Sequence, residues 1–238
     1  LAGTSAREEI LGKISRALKS DANSEAPNAS GARLSSDDAA LALEIRSRCE
    51  RDRARLIEQF ESELLKIGVR VCRAATTDSA AQYIERTALE RKAKTIIAAH
   101  AEVVESLGLQ KRLDTNGIGY VSEGTEAEFR QIAIAAGIGI SGVDYGLADT
   151  GTLVLLARKG QARAISLVPP VHIAIVKPDQ IVAGLDDLFQ LLRSEKGVSD
   201  LGSAVTFITG PSRTADIELT LVVGVHGPQE LHVVIVPN

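Results

Sequence analysis

Three glycine-bounded turns carry the side chains of this chain best suited to chemistry. In the first, an apolar run at 204–208 stops at Thr209-Gly210-Pro211 and continues as Ser212-Arg213-Thr214. Glycine and proline end a strand there, and the turn frees backbone N–H groups beside two hydroxyls and a planar cation. That set suits an anion, with the Arg213 fork bidentate to a carboxylate or phosphate. The same guanidinium can instead pair with Asp216 or Glu218, and Ser212 and Thr214 can cap the segment that follows. In the second turn, His226 sits among Gly224, Gly227 and Pro228. It reads as a proton relay or a contact to a substrate carbonyl, or else as a turn histidine bonded to backbone. The third, residues 137–151, holds five glycines and ends on Asp149-Thr150-Gly151. There a carboxylate and a hydroxyl stand before a strand, for acid–base work or simply to stabilise the turn.

These residues need a sheet to bring them together. From Val69 onward, short apolar runs alternate with helical periodicity: strands at 69–74, 95–99, 118–121 and 171–176, and helices at 79–92, 101–113 (broken near Gly108) and 125–136. Thr125 and Glu128 form a capping box for the last of these. Residues 163–168 read as extended, and 230–236 as the final strand. The rhythm predicts a three-layer αβα fold on a mostly parallel sheet. In such sheets ligands sit outside the carboxyl ends of the strands, an edge at which the three turns could meet. Gly137, Gly139 and Gly142 fit the letter of a dinucleotide fingerprint but follow a helix, not a strand, which removes its context.

Ahead of the sheet, residues 5–20 read as an amphipathic helix and 21–35 as a linker, so 1–35 forms an extension to an α/β domain at 36–238. A long helix is expected over 37–67. Its centre interleaves Arg46, Arg48, Arg51, Arg53 and Arg55 with Glu44, Glu50 and Asp52. This is either a solvated face of opposite-sign pairs or a surface that faces an anion or a partner.

Composition narrows the function. A net charge of −4 with mixed signs argues against a nucleic-acid binder. No apolar run reaches the roughly 18 residues of a membrane span, and the charged start lacks a signal-peptide core, so a cytoplasmic protein is expected. No two histidines have metal-ligand spacing, so no metal site is expected. His172 reads as a satisfied core or edge histidine, and His100 and His232 carry no special spacing. The two cysteines, Cys49 and Cys72, are too few for a [4Fe–4S] cluster, which takes about four thiolates.

GPSRTADIE followed by GVHGP, with YGLADTGTLVLLA and LVPPVHIAIV upstream, resembles the lactate utilization protein C family of the LUD-domain group. The likeness covers most of 129–236, and the helical N-terminus agrees with it. It implies a fold of the NagB/RpiA/CoA-transferase-like type and a place in an iron–sulfur-dependent system oxidising L-lactate to pyruvate. The [4Fe–4S] clusters would then belong to partner iron–sulfur proteins, with no cofactor in this chain. The chain would supply binding or assembly, with catalytic candidates Asp149 and His226 and an anion site of Thr150, Gly210, Ser212, Arg213, Thr214 and Glu218. A small carboxylate or a phosphate-bearing molecule is the expected ligand. Because CoA-transferase folds place a nucleophilic glutamate near such a turn, an independent enzyme of acyl transfer or ATP-dependent ligation stays open, as does a carboxylate-sensing regulator.

Overall fold

Val171-His172-Ile173-Ala174-Ile175-Val176 has no polar face to show water, and all six residues are buried. A strand buried on both faces belongs in the middle of a parallel sheet, and the computed structural model puts it there. The structure describes residues 36–158, 162–196, 204–215, 221–224 and 226–238. The expected helix at 5–20 and linker at 21–35 lie outside them, as do Asp216 and Glu218.

In chain order the elements are α1 (Ser36–Arg51), α2 (Arg53–Lys66), β1 (Arg70–Arg73), α3 (Thr77–Glu90), β2 (Thr95–Ala98), α4 (Glu102–Glu105), α5 (Leu109–Thr115), β3 (Gly119–Val121), α6 (Glu126–Ala135) and β4 (Ile138–Gly142). There follow β5 (Tyr145–Leu147), β6 (Thr152–Leu156), α7 (Ala164–Leu167), β7 (Val171–Val176), β8 (Ile181–Val182), α8 (Leu185–Lys196), β9 (Val205–Ile208), β10 (Arg213–Ala215), β11 (Leu221–Val223) and β12 (Glu230–Ile235). Six strands form a wholly parallel sheet in the order β1-β12-β7-β4-β2-β3. A smaller mixed sheet, β8-β5-β6-β9, and the ribbon β10-β11 complete the strands.

The large sheet separates two main apolar layers. On one face, Ala174, Val176, Val233 and Ile235 meet Leu56, Ile57, Phe60 and Leu64 of α2, the inner face of the small sheet and Leu188, Leu191 and Leu192 of α8. On the other, Ile173, Ile175 and Val234 meet Ala80, Ala81 and Ile84 of α3 together with α4 and α5. A third cluster packs Phe129 and Ala133 of α6 on Ile97 and Ile165. This is the expected three-layer α/β architecture.

The expected helix over 37–67 is present as α1 and α2, which Asp52 alone separates. Asp52 N donates to Arg48 O (3.0 Å) and Leu56 N to Asp52 O (2.9 Å), so the helical ladder runs through the junction. Thr125 and Glu128 make the predicted capping box on α6, and Gly108, with φ of 58°, breaks α4 from α5.

Two local expectations are corrected. Residues 138–142 are not part of a turn: they are β4, one of the two central strands of the sheet, where Gly139 is required because α7 lies directly against it. Residues 163–168 are not extended: α7 turns there and covers the same face, packing Ile165 against α6. Both corrections have one cause. A glycine in a strand mimics a turn in sequence, and the short helix that needs the glycine is too brief to show a period of 3.6.

Candidate functional site

All strands of the large sheet point one way, so the residues just after β2, β4 and β7 gather at one edge. They are Ala99, His100 and Ala101, then Val143 and Asp144, then Lys177. The end of β6 and the start of α7 close over this edge. Together they enclose a cavity of about 430 Å³, lined also by Ser141, Arg158, Arg163, Ser166, Gln180 and Thr206. It lies where ligands of open α/β sheets sit.

The polar groups of the cavity are held in place. Asp144 accepts from Leu156 N at Oδ2 (2.7 Å) and pairs through Oδ1 with Arg158. Gln180 donates from Nε2 to Val143 O (2.5 Å) and accepts from Lys177 N (2.7 Å), which fixes the backbone after β7. His100 pairs with Glu105 at 2.5 Å. Among the described residues, neither Lys177 nor Arg163 has a carboxylate within ion-pair distance, so both cationic side chains border the space unpaired, with Glu102 also on its wall.

Ser141 completes the wall. Only 3% exposed, its Oγ lies 2.9 Å from Nε2 of His172, whose Nδ1 is buried without a partner. Burial lowers the His172 pKa to about 4, the neighbouring His232 adding to the effect, so the ring is neutral at pH 7. A neutral imidazole has one N–H. Placing it on Nε2 leaves only a lone pair unpaired at Nδ1, whereas the other tautomer would bury an orphan donor at greater cost. His172 therefore donates to Ser141, and the Ser141 hydroxyl proton remains to donate into the cavity.

The turns singled out in the sequence lie elsewhere. β12 and β7 begin where Gln229 N donates to Pro170 O (2.8 Å), and the Gly210–Ser212 turn joins that end through Ser212 N to Pro228 O (2.9 Å). His226 and Ser212 thus share the amino edge of the sheet, opposite the cavity, rather than its carboxyl edge. Arg213 Nη2 donates to Ile67 O (2.7 Å), closing the C-terminal end of α2. Asp149 and Thr150 turn between β5 and β6, Asp149 N donating to Ala183 O (3.1 Å). Thr150, Thr152 and Thr209 form a hydroxyl chain with 2.8 Å steps, which links this turn to Gly210. A side chain at Gly151, where φ is 63°, would strike Leu64 N at 2.8 Å, so this turn also rests on the end of α2. Thr214 pairs with Val222 across the ribbon, and Glu218 lies outside the described residues. The structure therefore brings Thr150 and Gly210 together, and Ser212 and His226 together, but none of them lines the carboxyl-edge cavity.

This placement makes a prediction. Arg213→Ala is expected to lower unfolding free energy by about 1 kcal/mol, the net worth of one exposed hydrogen bond to a helix-terminal carbonyl, and to leave ligand affinity unchanged. Urea unfolding and calorimetric titration of the same variant check it. Lost affinity at unchanged stability would restore an anion-binding Arg213.

Sequence reading missed Lys177, Arg158, Arg163, Asp144 and Ser141 as site residues, because they come from β4 and its end, the ends of β6 and β7 and the start of α7, and no local pattern joins them. The usable signal was positional: a charged residue within two positions of the end of β4, β6 and β7.

A family model described as the LUD domain matches residues 57–236. The chain belongs to the LUD domain family. Among relatives of this LUD domain, a lactate utilization protein C of Halalkalibacterium halodurans is 34% identical over 175 residues, covering 73% of this chain and 75% of that protein. One of Anoxybacillus flavithermus is 37% identical over 144 residues, covering 60% of this chain and 63% of its own length. In structure the LUD domain is similar to a DUF162 family protein of Deinococcus radiodurans, with a TM-score of 0.54 at 25% identity over 77% of this chain and 98% of that one. No helix of the described residues is long and apolar enough to cross a membrane. The cysteines of the LUD domain pack in different layers, Cys49 with the α2 cluster and Cys72 against the α3 cluster. The donor set thus does not fit a cluster held within this chain.

Proposed function

We propose that this LUD domain is a cytoplasmic, lactate utilization protein C-like subunit of a system oxidising L-lactate to pyruvate. It binds the small carboxylate and assembles with iron–sulfur proteins. The observation that carries the reading is the carboxyl-edge cavity, where Lys177, Arg163 and the Ser141 hydroxyl face a space of about 430 Å³. Cations and a hydroxyl donor are what a hydroxycarboxylate requires. The names of the relatives from Halalkalibacterium halodurans and Anoxybacillus flavithermus support the same direction. Oxidation of lactate releases two electrons and two protons. Cys49 and Cys72 pack in different layers of the core, which supports assigning the thiolates of [4Fe–4S] clusters to partner proteins.

The test has two arms. Calorimetric titration with L-lactate is expected to give saturable binding that weakens at least tenfold in Lys177→Ala, a charge-assisted contact being worth roughly 1.5–3 kcal/mol. Anaerobic co-expression with the genes adjoining its own is expected to yield co-purified iron and lactate-dependent dye reduction that disappears when this chain is omitted. A chain that purifies without iron-bearing partners and ignores L-lactate would sink the reading.

A further inference from the structure

Two of the five arginines at the centre of the α1–α2 helix, Arg46 and Arg53, are half-buried and border a cavity. Arg46, Glu50 and Arg53 follow at helical intervals of i, i+4 and i+7, and the ladder runs through Asp52, so they share one face. That face looks onto a second cavity, of about 500 Å³, against Tyr145, the segment Pro178–Gln180 and Arg158. The remaining arginines are engaged differently: Arg48 pairs with Asp187, Arg55 with Asp52, and Arg51 is exposed. The second cavity adjoins the first, because Asp144, Arg158 and Gln180 line both.

We propose that this second cavity is an anion compartment, and that the group it takes is a phosphate. Three guanidinium groups line it, and two have fixed positions. Arg46 donates to Asp179 O (3.3 Å) and lies 5.6 Å from the centre of the Tyr145 ring, while Arg158 is held by Asp144. Arg53 has only a loose partner in Glu50, at 3.9 Å, whose side chain is 75% exposed. A carboxylate satisfies one planar fork with its two oxygens. A phosphate presents three or more acceptor oxygens and up to two charges, which matches several forks around one space. The carboxylates of Glu50, Asp144 and Asp179 also border the cavity. Asp144 is neutralised by Arg158, and Glu50 is the group a bound phosphate would displace from Arg53. The compartment does not depend on the lactate reading, which concerns Lys177 and Ser141 on the other side of Arg158.

Calorimetric titration at constant ionic strength, with inorganic phosphate, pyrophosphate and ADP as probes, tests the proposal on the full chain. Saturable binding of at least one probe is expected. Arg53→Gln and Arg46→Gln should each weaken it tenfold or more, and L-lactate affinity should be unchanged in Arg53→Gln. ADP binding tighter than inorganic phosphate would assign the phosphate to a larger molecule; the reverse order would assign it to the free ion. Glu50→Gln, a change at an exposed position that leaves folding intact, should strengthen binding several-fold. Absence of saturable binding by all three probes, or binding indifferent to both the Arg53 and Glu50 variants, would overturn it. A Lys177→Ala chain that loses L-lactate yet keeps pyrophosphate separates this result from the fate of the lactate reading.

Discussion

Gly139→Ala is expected to destabilise the LUD domain by about 3 kcal/mol or more, at the upper end of overpacking costs. A Cβ at this position would lie 2.0 Å from the carbonyl oxygen of Ile165 and 3.1 Å from Pro169 Cγ. The obstacle is backbone, so no rotamer change relieves it. Either α7 lifts from the sheet, or β4 shifts between β2 and β7 and breaks its ladders. Both responses also open the carboxyl-edge cavity, since Ile165 and Ser166 of α7 and Ser141 of β4 form its wall. Urea denaturation should show the loss as a lowered midpoint, and L-lactate titration of any folded fraction should show weakened binding. Gly119→Ala is the control. Its nearest neighbour would be Thr95 Oγ1 at 3.5 Å, an ordinary contact, so it should shift stability by less than about 1 kcal/mol. Equal effects from the two substitutions would mean that α7 does not rest on β4.

Acidification from pH 7 to pH 4 should remove about 3 kcal/mol of stability through His172 alone. The sign follows from where the proton binds. The ring titrates near 6.5 in the unfolded chain and at about 4 in the native one, because burial disfavours the charged form. Above pH 6.5 both states are neutral at this position and stability is constant. Between 6.5 and 4 only the unfolded chain takes up the proton, which favours unfolding by 1.36 kcal/mol for each unit of separation. His232 adds to the same trend. Burial also lowers its pKa, partly offset by Glu230, while Tyr83 Oη holds its Nδ1 at 2.8 Å. The measurement is the difference in unfolding free energy between wild type and His172→Gln across pH 4–7, which cancels the carboxylates common to both. The variant keeps an amide donor for Ser141 but cannot titrate, so its curve should be flatter in this range. Parallel curves would show that His172 does not carry the pH dependence.

Much of the fold was legible because its signals are local. The run VHIAIV, set off by Pro169-Pro170, reads as an extended segment, and burial of all six residues makes it a central strand. The Thr125–Glu128 capping box satisfies two orphan N–H groups within four residues, so it needs no tertiary context to form. The helix over 37–67 announced itself by its ends, Ser36 ahead of Asp37 and Asp38 and a glycine at 68, and the structure interrupts it only at Asp52.

What the chain order alone determined is therefore the class of fold, a parallel sheet between helices, and the family carried by the motifs in 129–236. Tertiary structure decided which edge of that sheet encloses space. The turns at Gly210 and His226 look chemical in sequence because glycine, histidine and hydroxyls cluster there. Their backbone groups, however, join the ribbon to the start of β12, and the Arg213 side chain closes the end of α2, at the amino edge. The carboxyl-edge cavity is assembled largely from residues behind β2, β4 and β7, strands that are adjacent in space but separated in sequence by whole intervening helices and strands. Strand order creates that adjacency, and strand order depends on non-local pairing that no window of sequence contains. The same holds for Arg46 and Arg53. Their spacing put them on one helix face, but only the packing of α1 and α2 against the small sheet determined that this face borders a cavity.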